Sequence, residues 1–339
     1  MMRLLIFIAV FALVAQSGFA QDPDFLAGLI SYQPEQAVTG TIRTWGNNYM
    51  IPLMRFWEEG FRKHHPAVRF ENTLKGSETA IAGLYSGVAD LALLGREVYE
   101  PEIRAFQEWF HYEPLGIEVT TGSYSNPHKD FALMIFVHKD NPVSQLTLAQ
   151  VVSIFGCNKQ GPIQTWGQLG LTGEWTDRPV HVYAYGTDSG FGRFFRTLLL
   201  NGYQWNPEMK EFYNVKTADG SEIDSGQLML DALAKDPYGV AYANVCYMRD
   251  LDVKPLAVAR KDGGPFIEPT KENVWKRAYP LTRFTSTFIN RVPNKPVDPK
   301  VKEFLRFILS RDGQEAVIRE GSYLPLTSAL IRDQLRKLE

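Results

Sequence analysis

From Gly40 to Arg96 the chain alternates short apolar stretches with segments whose apolar residues recur at helical spacing, and this rhythm limits the fold most. Gly40 to Arg43 reads as a strand and Trp45 to Tyr49 as a turn. Met50, Leu53, Met54, Trp57 and Phe61 then mark one face of a helix. His64-His65-Pro66 stops it, because the residue before a proline disfavours helical backbone. Val68-Arg69-Phe70 resumes as a strand. A second helix follows Gly76 and ends near Gly87, and Ala89 to Leu94 is a buried strand closed by Gly95-Arg96. A β-α-β-α-β rhythm is the mark of a parallel α/β layer.

A second cycle begins at Phe131 to Val137, an apolar strand ended by Asp140-Asn141-Pro142. Leu146 to Phe155 reads as a helix with Thr147 as its cap, and Gly161 to Gly173 as a loop. Val180 to Tyr185 is a strand, Gln227 to Ala234 a helix and Gly239 to Val245 a strand. Val301 to Leu309 and Gln314 to Glu320 are helical, the last stopped by Gly321. Once the leader is removed about 320 residues remain, more than one core sustains, so two lobes are expected.

The leader is Arg3 followed by the apolar run Leu4 to Val14 and the small-x-small pattern Gly18-Phe19-Ala20. The run is too short to span a bilayer, which takes about 20 residues. Cleavage after Ala20 is therefore expected, with an exported mature chain that starts at Gln21. No later segment is apolar enough to cross. The net charge of −2 and the lack of a basic stripe argue against nucleic acid as a partner. Cys157 and Cys246, the only cysteines, are compatible with a disulfide or with two separate thiols.

Two turns carry the candidate chemistry. Lys75-Gly76-Ser77-Glu78-Thr79 leads into Ile81, Leu84 and Tyr85; Gly186-Thr187-Asp188-Ser189-Gly190 leads into Phe191, Phe194 and Phe195. Each puts glycine and hydroxyl groups where a helix starts, with free N–H groups and a partial positive charge. Such turns bind anions, and they also serve as ordinary caps in which Ser77, Thr79 or Ser189 satisfies its own helix. A carboxylate beside an anion repels it unless one partner holds a proton. Asp188 or Glu78 would then favour hydrogen phosphate over sulfate, or simply face water as a first-turn acid. Arg96, at the end of a buried strand, can fork onto two oxygens or pair at the surface. Asn47, Asn48 and Tyr49 fill the turn before the first helix as donors or as caps. The six histidines have no metal-ligand spacing, and no H-E-x-x-H, Walker or G-x-S-x-G pattern occurs, so neither a metal nor another cofactor is expected.

The C-terminal text carries a family resemblance. It runs Tyr279-Pro280-Leu281-Thr282-Arg283, then Asn290-Arg291-Val292-Pro293-Asn294-Lys295-Pro296, and closes on Gly321-Ser322-Tyr323-Leu324-Pro325-Leu326. With Gly87-Val88-Ala89-Asp90-Leu91-Ala92 and Val137-His138-Lys139-Asp140-Asn141-Pro142, it resembles the PstS-like phosphate-binding proteins, receptors of phosphate ABC transporters. The resemblance spans about residues 38 to 328, nearly the whole mature domain. It implies an α/β, type II periplasmic binding fold of two lobes joined by two crossover strands. The division it implies is a first lobe of residues 38–133 and 245–328 and a second of 134–244. It implies phosphate held by hydroxyl and N–H groups at helix starts, one arginine and one carboxylate. Ser77 matches the family's first-lobe serine, and Thr187 and Ser189 its second-lobe turn, with Asp188 in place of a glycine. Tyr183 stands at the place of the phosphate-contacting arginine, and Gly95 where some members carry an aspartate. Asn47-Asn48-Tyr49 replaces a Ser-Thr pair.

The expected function is a periplasmic receptor that closes on phosphate or a related oxyanion and delivers it to a membrane permease, acting as a monomer and not as an enzyme. The ligand set expected is Asn47, Asn48, Ser77, Thr79, Arg96, Tyr183, Thr187, Asp188 and Ser189. Three rivals remain at this point. Given 21 Phe, 7 Trp and 15 Tyr, the same fold can serve an organic anion or sugar stacked on Tyr49 and Tyr183. A phosphoester hydrolase would use Ser189 as nucleophile. A sensor or adhesin would need no permease.

Overall fold

The computed structural model describes residues 24–127, 129–157 and 161–339, so the leader and its cleavage site lie outside the described residues. Two five-stranded sheets organise the chain. The first runs in the order Val68–Thr73, Gly40–Gly46, Leu91–Leu94, Phe284–Ile289, Leu115–Thr121. Gly40–Gly46 is parallel to both of its neighbours, whereas Phe284–Ile289 is antiparallel to Leu91–Leu94 and to Leu115–Thr121. The second sheet repeats this plan as Lys210–Phe212, His181–Tyr185, Gly239–Ala243, Met134–His138, Val253–Pro255. There too the first three strands are parallel and the fourth, Met134–His138, is antiparallel to both of its neighbours. In each sheet the fourth strand follows directly from a crossing between the lobes.

Each sheet carries helices because its strands are apolar on both faces. Leu91–Leu94, Met134–His138 and Gly239–Ala243 are buried along their whole length. Over the first sheet, Ile51–Arg62 sets Trp57 and Phe61 against Phe304 and Phe307 of Pro299–Ile308. Trp57 Nε1 donates to Gly313 O at 3.0 Å, so the indole loses no hydrogen bond on burial. His65 is buried with its Nε2 2.7 Å from Tyr32 Oη. In the second lobe Phe195 stacks on Tyr242 at 4.0 Å, within a core that includes Phe136 and Phe155. The helix Leu148–Phe155 starts with a reciprocal cap: Gln150 N donates to Thr147 Oγ1 and Thr147 N to Gln150 Oε1.

The pairing differs from the expected division in one respect. Val253–Pro255 joins the second sheet, Ala257–Ala259 pairs with Gln145–Thr147, and Trp275, Tyr279 and Leu281 lie in the second core. The return crossing thus falls between Leu281 and Phe284, not at 244/245. The strand escapes a sequence reading because Pro255 cannot donate to a ladder; it is tolerated here on an edge strand. Cys157 and Cys246 are not joined to each other by a disulfide. Among the described residues no helix is long and apolar enough to cross a membrane.

Candidate ligand-binding cleft

A cavity of about 640 Å³ opens between the two lobes. Its walls come from the C-terminal ends of parallel strands and the turns that follow them, where open α/β sheets bind ligands. The first lobe contributes Asn47, Asn48, Ser77, Gly95 and Arg96. The second contributes Tyr185, Gly190, Phe191, Asp224 and Tyr247, and the crossings supply Asp130 and Arg283.

Ser77 is the most closely constrained donor. It is 4 % exposed, and its Oγ accepts from Asn47 Nδ2 at 3.0 Å and from Gly95 N at 3.2 Å. Both lone pairs are used, so the hydroxyl has only its proton left to offer the cavity. Asn47 is oriented in turn, because its Oδ1 accepts from Tyr49 N at 2.7 Å at the start of the short helix Asn48–Met50. Gly95 is required by this contact: a Cβ there would lie 2.3 Å from Asn47 Nδ2.

Arg96 is gripped before any ligand arrives. Its two terminal nitrogens bond Glu102 at 2.7 and 2.9 Å, and its guanidinium lies over the Tyr99 ring at 3.8 Å. The buried Nε has no hydrogen-bond partner among the described residues; the nearest acid is Glu78, at 3.6 Å. Arg283 is buried on the cleft floor, paired with Glu97 and, at 2.5 Å, with Asp130 Oδ1. Burial opposes its charge, but Asp130 and Glu97 outweigh that and push its pKa up. One guanidinium faces two carboxylates, so one acid is in excess. Burial pushes Asp130 well above the usual carboxylate range against the pull of Arg283. Asp130 Oδ2 is buried without a partner, as is the Tyr185 hydroxyl. Three orphaned polar atoms (Arg96 Nε, Asp130 Oδ2 and Tyr185 Oη) thus belong to residues lining one cavity, and buried groups of this kind call for a partner.

Of the sequence candidates, Asn47, Asn48, Ser77 and Arg96 line the cleft, and five do not. Thr79 Oγ1 donates to Gly76 O at 2.8 Å, a local cap. Tyr183 donates to Asp236 at 2.8 Å and lines a different hollow with His181 and Lys210. Tyr185 occupies the cleft instead, because two residues along a strand move a side chain about 7 Å toward the C-terminal end on the same face. Ser189 Oγ accepts from Gly192 N at 3.0 Å and caps its helix. Thr187 N donates to Glu211 at 2.8 Å, and Asp188 is exposed and outside the lining. Only the glycine and ring that follow, Gly190 and Phe191, reach the cavity. The sequence reading missed Asp130, Arg283, Tyr185, Asp224 and Tyr247. Among the described residues no group of His, Cys, Asp and Glu is arranged to hold a metal.

Two α/β lobes of like topology, crossed twice by the chain and open to a polar cleft, define a two-lobed solute-binding protein. A family model described as a PBP superfamily domain matches residues 31–312. The phosphate-binding protein PstS of Pseudomonas aeruginosa is 32 % identical across 100 % of this chain and 98 % of its own length. Protein SphX of Synechococcus elongatus is 23 % identical over 88 % of this chain and 82 % of its own. The chain belongs to the PBP superfamily, as a PstS-like member with the type II periplasmic binding fold. In the fold itself it is similar to PstS from Borrelia burgdorferi (TM-score 0.58, 19 % identity, 85 % of this chain and 99 % of that one). The ABC-type phosphate transport receptor from Vibrio cholerae is similar at TM-score 0.53 and 21 % identity, over 84 % of this chain and 99 % of that one. These relatives are binding proteins, not enzymes, which removes the hydrolase reading of Ser189.

Proposed function

We propose that this chain is the exported receptor of an ABC importer and binds phosphate or a related oxyanion between its lobes. The observation that carries the reading is the donor-only hydroxyl of Ser77, buried at the cleft wall with both lone pairs filled. Such a group is fitted to an acceptor-rich guest and has nothing to offer a second donor. Arg96 Nε supplies a charged N–H nearby, Asn47 and Asn48 shape the rim, and Asp130, its carboxyl pushed above the usual range by burial, lies on the floor beside Arg283. The relatives are named for phosphate. The mechanism is hinge closure about the two crossings, driven by contacts that exist only when both lobes meet the ligand. For this purpose the first lobe comprises the residues up to the first crossing and from Phe284 onward, and the second lies between the crossings.

Calorimetric titration of the mature protein with phosphate, arsenate, sulfate and molybdate tests the reading. Saturable heat with phosphate or arsenate is expected. Flat titrations with all four ions at millimolar excess would reject it.

A further inference from the structure

One ring in the first lobe meets cations from both lobes. Tyr99 leads into the helix Glu100–Phe110, and its backbone N–H donates to Glu102 Oε2 at 2.7 Å. Glu102 also holds the two terminal nitrogens of Arg96, whose guanidinium lies over the Tyr99 ring at 3.8 Å. The ring and the ligand-facing arginine are thus fixed as one block. Arg193 approaches the same ring from the second lobe, with its guanidinium 5.5 Å from the ring centre. That distance is near the outer limit of a cation–π attraction, about 6 Å.

Arg193 differs from the cations that line the cleft. Arg96, Lys129 and Arg283 are each paired with a carboxylate, of Glu102, Glu320 and Asp130 respectively. Arg193 is exposed, and among the described residues it forms no ion pair. It is also absent from the cavity lining, so its reach is to Tyr99 and not to the ligand. Its helix, Gly190–Phe195, begins in the cavity wall with Gly190 and Phe191. Phe191 stacks on Phe131 at 4.3 Å, and the Arg283 guanidinium lies over Phe194 at 4.3 Å. Two aromatic side chains of this helix therefore rest on the crossings, while Arg193 extends to the opposite lobe.

We infer that Arg193 is a positioning residue for ligand capture: closure of the lobes seats its guanidinium on the Tyr99 ring, and this contact retains the anion held at Ser77 and Arg96. The inference rests on the oxyanion reading above and adds to it how the closed state is held. An anion on Arg96 Nε brings negative charge to the Tyr99 side of the cleft, and the unpaired Arg193 is drawn toward it. The contact is then stronger with ligand than without, which is what closure by a ligand requires. Because the contact tightens after the ligand has entered, it acts on escape and not on encounter.

The test follows association and dissociation of radiolabelled inorganic phosphate by rapid filtration. It uses the unmodified mature protein, Arg193→Gln, Arg193→Lys, Tyr99→Leu and the double variant of Arg193→Gln with Tyr99→Leu. Arg193→Gln is expected to release phosphate about two- to fivefold faster with its association rate unchanged, the scale of an exposed cation–π contact. Arg193→Lys is expected to keep most of the retention, since an ammonium group also sits on an aromatic face. Tyr99→Leu disturbs Arg96 as well, so the double variant isolates the pair; it is expected to release phosphate no faster than Tyr99→Leu alone. Equal release from the unmodified protein and Arg193→Gln overturns the inference and leaves the oxyanion reading standing. Slower association with unchanged release also overturns it, because Arg193 would then be a steering charge. Effects that multiply in the double variant overturn Tyr99 as the partner. No capture of phosphate by the unmodified protein ends both readings together.

Discussion

Arg283 and Asp130 join the two chain crossings through an ion pair buried on the floor of the cleft. Around them the crossings hydrogen-bond to each other, Gly122 N to Arg283 O at 2.8 Å and Leu133 N to Leu281 O at 3.1 Å. The pair and the backbone bonds that tie the crossings together therefore share the floor of the cleft.

Removing the cation isolates two acids. Arg283→Met is expected to cost about 3–5 kcal/mol of unfolding free energy, since Glu97 and Asp130 lose their partner in a dry site. Urea denaturation measures it. A loss under about 1 kcal/mol would mean that the pair contributes little to holding the crossings together.

The excess acid gives a pH dependence with a definite sign. Asp130 has a raised pKa in the folded chain, so between the ordinary carboxyl value near about 3.9 and that raised value the native state holds a proton the unfolded state has lost. The contribution of Asp130 to stability therefore falls as pH rises through this window. Oxyanion affinity falls in the same direction, because the ionised form repels the guest. Titrations from pH 5 to 9 on the unmodified protein and Asp130→Asn check this, and the variant is expected to lose most of the slope.

Ser77→Ala removes the donor and strands Asn47 Nδ2 and Gly95 N. Oxyanion binding is expected to weaken by about 1.5–3 kcal/mol, the scale of a hydrogen bond to a charged group. Calorimetry reports it, with a melting curve as control. Unchanged affinity would take Ser77 out of the site.

Gly95→Ala forces a methyl group against the Asn47 amide. A stability loss of about 1–3 kcal/mol is expected from overpacking, together with weaker binding as Asn47 releases Ser77. Thermal unfolding with and without ligand separates the two effects.

Cys246 is expected to be inert. Burial, with Asp224 adding to it, pushes its pKa from an ordinary value near 9 up to about 12, so the folded protein holds the thiol form at pH 8. Between those two values the unfolded chain gives up the proton and the folded chain keeps it, so stability falls as pH rises there. Iodoacetamide labelling, slow in buffer and fast in urea, measures the protection.

The elements with one strong period were legible from residue types alone. Met50 to Phe61 announced the helix Ile51–Arg62, and Thr147 announced the start of Leu148–Phe155. The short strand Val253–Pro255 was not, because three residues ending in proline carry no alternation. Ser77 and Arg96 could be chosen because they follow a strand and begin or precede a helix. Asp130 and Arg283 could not, since their roles depend on two crossings about 150 residues apart meeting in space, and no local pattern encodes such a meeting. Tyr183 and Tyr185 differ by register: both lie on the same strand, but the cleft opens two residues beyond Tyr183.

The shared strand order carries a consequence for how the chain is made. Every strand of the second sheet lies in one continuous stretch, Met134 to Pro255, whereas the first sheet must wait for Phe284–Ile289. Without that strand, Leu115–Thr121 has no neighbour joining it to Leu91–Leu94. During synthesis or export the half that emerges first is the half that finishes last. A chain truncated before Phe284 would keep a complete later half and hold the earlier one open, its sheet split by a missing staple.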